Sequence, residues 1–393
     1  MNLSKTNKTK LLIIVSRFPY PLDKGDKLRS YYQIVELSMN FDITLVALTD
    51  FDISIKDEKQ VSKYCDSVHI YKLNWFTKTI NLFLCLFTKR PFQTGYFYSQ
   101  KINKIIKELI KVNDFKHIYC QLIRTSEYVK KEYKITKTLD YMDALSAGIS
   151  RRVHMQPFFK KLVFKSEANR LINYERHIFD FFENKTIISE QDKNLIQHPE
   201  RGNIVCVPNG IDKLFFESIN KTQEYDFVFV GNMSYPPNVD AVHYIADKIL
   251  PSFPEATLLV SGLSPHKSLI SLAKKDPRIT VIGWVEDIRT SYSKGEIFLA
   301  PMFIGTGMQN KLLEAMAMKI PCVTTPLANN AIHARNGLEI MVGKNDEEII
   351  SCIKKLRENP QFSNDLSIAA SSFVKNNYSW QETVSILKEI ILK

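Results

Sequence analysis

A lysine and a glutamate one helical turn apart, Lys311 and Glu314, follow the glycine turn Gly305-Thr306-Gly307. Their types suggest a chemistry. An ammonium neutralises phosphate, and a carboxylate accepts from a pair of sugar hydroxyls. A ligand that carries phosphate and a vicinal diol together is a nucleotide. Glycine allows backbone to approach such a ligand closely. The unpaired amides and positive dipole end of a helix N-terminus favour its anionic part. Candidate contacts at this end are Gly305, Thr306, Gly307, Met308, Gln309, Asn310, Lys311 and Glu314.

The elements that must hold these residues can be read around them. Ile297 to Phe303 is an apolar run of the kind a parallel sheet buries on both faces. Leu312, Leu313, Met316 and Ala317 recur at helical spacing over 309–318, and Pro321 opens another strand. The chain begins in the same style. Leu11 to Val15 predicts a first strand, a loop enters a helix at Gly25, Asp26 and Arg29, and Ile43 to Leu48 predicts the next strand. Ligands gather at the carboxyl ends of such strands. Arg17 and Arg29 stand at that end of the first strand. His117 to Arg124 and Thr138 to Asp143 read as further strands, with Arg124, Asp140 and Asp143 at the ligand-side ends and His117 at the structural end. Pro208-Asn209-Gly210 is turn chemistry. A fresh strand, Tyr225 to Val230, then ends at Gly231-Asn232, so the count restarts in a second doubly wound domain.

The run from Gly305 to Ala317 resembles the donor-site signature of family 4 glycosyltransferases of the GT-B fold, in its G-T-G-x-x-N-K-x-x-E-A-M-A form. That form occurs in bacterial polysaccharide and exopolysaccharide sugar transferases. The resemblance implies an α/β chain of two Rossmann-like domains facing across a cleft. Residues 1–207 would form the acceptor side and 208–377 the nucleotide-sugar side, with 378–393 a helix crossing back. It implies a hexosyltransferase-type enzyme that moves sugar from a nucleotide diphosphate sugar to a hydroxyl of a glycan or lipid-linked glycan in surface polysaccharide synthesis. Retention of configuration, and no need for a metal or other cofactor, come with it. Glu314 takes the ribose-binding role. Lys311 with the amides of Gly305 and Gly307 would stabilise the departing phosphate, and Asp143 joins them on the catalytic side. Gly231 and Asn232 would meet the donor phosphates, and Gly25 with Asp26 the interdomain face, which by the resemblance makes Arg17, Arg29 and Arg124 candidates for an acidic acceptor. Gly283 and Val285 lie in a match to G-x-V-x-D, whose backbone reads the base; an equal reading makes Asp287 a helix cap. Two departures stand out. Thr306 occupies the position of a first glutamate, and no arginine–lysine pair follows Gly231 before Lys248.

Composition bounds the alternatives. The 393 residues are 45% hydrophobic and 24% charged, with a net charge of +11 and pI near 9.1. Basic residues interleave with aromatics and leucines over 78–111 and again over 151–176, which suits an anionic bilayer face. No nucleic-acid module shows itself. Asp50-Phe51-Asp52 is read as a solvated turn in preference to a metal site. The six cysteines form no C-x-x-C pair and read as reduced thiols. No run reaches the ~20 apolar residues of a spanning helix, so the expected place is the cytoplasm, at the inner membrane face. A dinucleotide-dependent oxidoreductase would need a third glycine and an acid near position 330, and neither is present. The remaining alternative is a non-catalytic nucleotide-binding or membrane-associated scaffold of the same fold.

Overall fold

The computed structural model describes residues 8–153, 157–220, 222–304 and 308–393. The chain separates into two compact units. One comprises Met1–Pro208 together with Val384–Lys393, and the other Asn209–Thr383.

Seven strands build the first unit: β1 (Thr9–Val15), β2 (Phe41–Thr49), β3 (Ser67–Lys72), β4 (His117–Gln121), β5 (Thr136–Asp140), β6 (Asn184–Ile187) and β7 (Val205–Cys206). They lie in the order β3-β2-β1-β4-β5-β6-β7, with every pair parallel. Leu11 to Ile14 pair on both sides and, with Val15, are essentially inaccessible, which is why their sequence is apolar without alternation. His117 sits in this sheet, buried, with its Nε2 2.8 Å from Thr138 Oγ1. Burial lowers its pKa to about 4. The strand order reverses between β1 and β4, and Arg17 and Arg124 lie in the loops just beyond those two strands.

One sequence expectation is corrected here. Arg29 does not reach an acceptor, because the helix Gly25–Leu37 turns it inward to full burial. Its Nε donates to Asp140 Oδ2 at 2.7 Å and its Nη2 to Asp140 Oδ1 at 3.1 Å, and neither side chain touches solvent. Asp140, also expected on the ligand side, is the inner partner of that pair.

The second unit holds β8 (Tyr225–Val230), β9 (Leu258–Ser261), β10 (Ile279–Ile282), β11 (Gly295–Ala300), β12 (Cys322–Thr324) and β13 (Met341–Val342). Their order is β10-β9-β8-β11-β12-β13, again all parallel. This is the doubly wound order whose ligand crevice lies at the reversal, between β8 and β11. Two glycines let the strand ends close up beside it. Gly262 has φ +140°, and a Cβ there would lie 1.8 Å from the carbonyl oxygen of Gly231. Gly262→Ala is expected to cost roughly 3 kcal/mol or more through strain and overlap. Gly202→Ala, where a Cβ meets nothing within 4 Å, should be near neutral; thermal melting of the two variants checks the contrast.

The last helix, Trp380–Leu392, contributes buried Val384, Leu387, Ile390 and Ile391 to the first unit. Among the described residues no helix is long and apolar enough to cross a membrane.

Candidate functional site

The helix Asn310–Ala317 forms because Leu312, Leu313, Ala315, Met316 and Ala317 supply a continuous buried side. Lys311 and Glu314 are left on the opposite, half-buried side at i, i+3. Ser371 Oγ donates to the Ala317 carbonyl at 2.9 Å and helps to close its end. Lys311 Nζ donates to Asn238 Oδ1, lies 3.8 Å from Met302 Sδ and stands 5.1 Å from the centre of the Phe229 ring. Asn238 belongs to the helix Pro236–Tyr244 and donates through Nδ2 to the Asn232 carbonyl at 2.9 Å. It therefore links the loop after β8 to the lysine. A Cβ on Gly231 would lie 2.7 Å from that same Nδ2, so the glycine makes room for the bridge. On the other side, the buried Tyr292 hydroxyl donates to Glu314 Oε2 at 2.7 Å.

Neither charge is well solvated. Burial lowers the Lys311 pKa to about 7 against the pull of Glu314. Burial raises that of Glu314, opposed by the Tyr292 hydrogen bond and by Lys311. A lysine poised at neutrality responds to an arriving anion by taking up a proton. Diphosphate binding should raise the Lys311 pKa, so affinity is highest below about pH 7 and falls by up to about tenfold per pH unit above it. Calorimetry in two buffers of different ionisation enthalpy should register proton uptake near pH 8, and Lys311→Met should abolish it.

The other expected donor-side residues are placed unevenly. Gly305, Thr306 and Gly307 lie outside the described residues. Met308 packs against the core of the second unit, and Gln309 stands at the N-cap position. Asn310 Oδ1 is screened from solvent with no partner among the described residues. Gly283 and Val285 follow β10 in irregular backbone, and a Cβ on Gly283 would meet nothing within 4 Å. Asp287 accepts from the Arg289 amide at 3.0 Å and from its guanidinium at 2.7 Å, one residue before Ile288, which holds the N-cap position of the helix Arg289–Tyr292. Asn238 and Tyr292 were missed. The sequence signal for Asn238 is its place just after Pro236-Pro237, where a helix starts beside a strand-end glycine.

In the first unit, Arg17 Nη1 lies 2.6 Å from Asp26 Oδ2, and Arg124 Nη1 lies 4.0 Å from the same oxygen. Gly25 opens the helix that carries Asp26, with the Met142 Cε 3.4 Å from where its Cβ would be. Asp143 is exposed in the loop after β5. Crowding by the surrounding protein raises its pKa, Asp192 adds to that, and Arg124 and Arg151 oppose it. Asp50 and Asp52 each meet a lysine, Lys78 at 2.7 Å and Lys72 at 2.7 Å.

Comparison with known proteins fits this architecture. Residues 224–359 match the family model described as glycosyl transferases group 1. A Klebsiella pneumoniae protein, described as an uncharacterized 44.6 kDa protein in the cps region, is 22% identical, covering 97% of this chain and 99% of its own. The crystal structure of Anabaena Alr3699/HepE in complex with UDP superposes with TM-score 0.65 at 11% identity, over 98% of this chain and 99% of that one. WaaG, a glycosyltransferase involved in lipopolysaccharide biosynthesis, gives TM-score 0.65 at 12% identity, over 97% and 99%. The fold is GT-B, two parallel-sheet α/β domains.

Proposed function

We propose that the protein is a glycosyltransferase that moves a sugar from a nucleotide diphosphate sugar to a hydroxyl of a glycan or lipid-linked glycan in surface polysaccharide synthesis. The observation that carries this reading is Lys311 and Glu314, one turn apart at the β8/β11 reversal and each fixed by a neighbour, Asn238 and Tyr292. The family match over residues 224–359 covers that site, and the Anabaena neighbour was crystallised with UDP. Glu314 would accept from the ribose hydroxyls. Lys311 would hold the diphosphate and oppose the charge that grows on it as the sugar leaves, the preorganised electrostatics that often contribute most to rate. In a retaining reaction without metal, the departing phosphate takes the acceptor's proton, so no side-chain base is required. The hexosyl class and contact with an anionic membrane face belong to the same proposal, the latter resting on the aromatic and basic residues of 78–111 and 151–176.

The test is a panel of uridine, guanosine and other diphosphate sugars incubated with lipid-linked acceptors, with nucleotide release as readout. Acceptor-dependent release that Lys311→Met removes supports transfer. Tight nucleotide binding with no release from any donor would instead favour a binding scaffold.

A further inference from the structure

Two cavities in the first unit share a wall. One, of about 430 Å³, is lined by Arg17, Arg124 and Arg152 with Asp50 and aromatic neighbours. The other, of about 600 Å³, is lined by Leu86, Ile149, Val163 and Phe164 among others and is almost wholly apolar. Leu82, Phe92 and Gln93 belong to both. Both volumes fall in the roughly 300–1,000 Å³ range of small-ligand sites.

The polar cavity carries more positive charge than its carboxylates balance. A single carboxylate, Asp26, stands between Arg17 and Arg124. Asp50 is already engaged by Lys78 at 2.7 Å and by the Tyr96 hydroxyl at 3.0 Å. Arg124 donates through Nε to Gln93 Oε1 at 2.9 Å and lies over the Phe97 ring at 5.1 Å. Burial and then Arg17 lower its pKa to about 10. The one acid lining the apolar cavity, Glu167, points at backbone and accepts from the Phe92 and Gln93 amides at 2.8 and 3.0 Å. The cavity's outer rim continues into exposed Phe83, Leu86 and Phe87 of the 75–87 stretch. Guanidiniums match phosphate oxygens, and an apolar trough running off their cavity matches a hydrocarbon chain.

We propose that these joined cavities bind the lipid end of a lipid-linked glycan acceptor, a single-chain lipid phosphate, with the phosphate on Arg17, Arg124 and Arg152 and the chain along Leu82, Phe92 and Val163. The assignment rests on the glycosyltransferase reading above, since it names the acceptor for that reaction.

The experiment titrates the full chain with farnesyl phosphate, with farnesol, with inorganic phosphate and with phosphatidylglycerol vesicles. A nucleoside diphosphate is titrated into the same samples. Farnesyl phosphate should bind at least about tenfold more tightly than farnesol or phosphate alone. Arg152→Gln should weaken it by about tenfold and leave farnesol unchanged, the loss expected for one charge-assisted contact. Leu82→Gln should weaken both farnesyl ligands and spare phosphate. Unchanged melting temperatures and nucleotide affinity in both variants exclude misfolding. Farnesyl phosphate binding no tighter than phosphate or farnesol overturns the proposal. So does indifference to both variants, or an effect of the variants on vesicle binding alone. Loss of lipid binding while nucleotide binds would sink this inference only. Absence of nucleotide binding would sink the donor site instead.

Discussion

Arg29→Met is expected to lower the unfolding free energy by about 3–5 kcal/mol, because it leaves Asp140 charged and without its cation in a solvent-free interior. Asp140 is held from several directions. Besides both guanidinium contacts, the Tyr119 hydroxyl lies 2.9 Å from Oδ2, the Thr186 hydroxyl donates to Oδ1 at 2.9 Å and the Met142 amide does so at 3.3 Å. The Tyr119 hydroxyl also lies 2.8 Å from Gln33 Oε1. A carboxylate so enclosed ties the first helix to β4, β5 and β6 across the sheet. Adding Asp140→Leu to Arg29→Met should recover part of the loss, since an apolar pair of similar volume is often no worse than the ion pair it replaces. Recovery stays incomplete because the Thr186 hydroxyl and Met142 amide lose their acceptor. Urea unfolding of the single and double variants measures both terms. A cost below about 1 kcal/mol for Arg29→Met would mean that the pair does not hold the domain in this way.

Loss of the Glu314 carboxylate should weaken nucleoside diphosphate binding by roughly two orders of magnitude, about 2.7 kcal/mol, as expected when two charge-assisted hydrogen bonds to a ribose are removed. Glu314→Ala mixes this with a second effect. It strips the buried Tyr292 hydroxyl of its 2.7 Å acceptor, a penalty of about 1–3 kcal/mol in stability. The Lys311 carbonyl, 3.3 Å from that hydroxyl, is a poor substitute. Glu314→Gln keeps an acceptor for Tyr292 and isolates the ligand term. A chemical cycle sharpens the reading. A 2′,3′-dideoxy nucleotide should bind the wild type as weakly as the natural nucleotide binds Glu314→Gln, and should lose little more on the variant. Equal affinity of wild type and Glu314→Gln for the natural nucleotide would place the ribose elsewhere.

The parts of this molecule that were legible in its sequence are those fixed by short-range pattern. Leu11 to Val15 and Phe227 to Val230 announce buried parallel strands by unbroken apolarity, and β1 and β8 lie over them. The sequence predicts a helix over 309–318 because its apolar positions carry the 3.6 period, and the helix runs Asn310–Ala317. What escaped depends on contacts distant in the chain. Arg29 and Asp140 are 111 positions apart, and a loop-borne arginine at a helix entry gives no sign that the helix will roll it inward. Asn238 and Tyr292 reach Lys311 and Glu314 from 73 and 22 positions away. Each is an ordinary turn or core residue until the sheet order sets β8 beside β11. The expectation that Asp143 sits at a strand end was close, but β5 stops at Asp140, which leaves Asp143 in the following loop.

The first unit is sewn from both ends of the chain: Val384–Lys393 belong to it, and Val384, Leu387, Ile390 and Ile391 are buried there. On the ribosome that closing piece is made only after the second unit. At about 5–20 residues per second, the polypeptide through Pro208 waits on the order of ten seconds or more for its final apolar patch while the other unit is translated. The nascent chain therefore passes through a stage in which one sheet is formed and its seat for the last helix stands uncovered, open to chaperone capture.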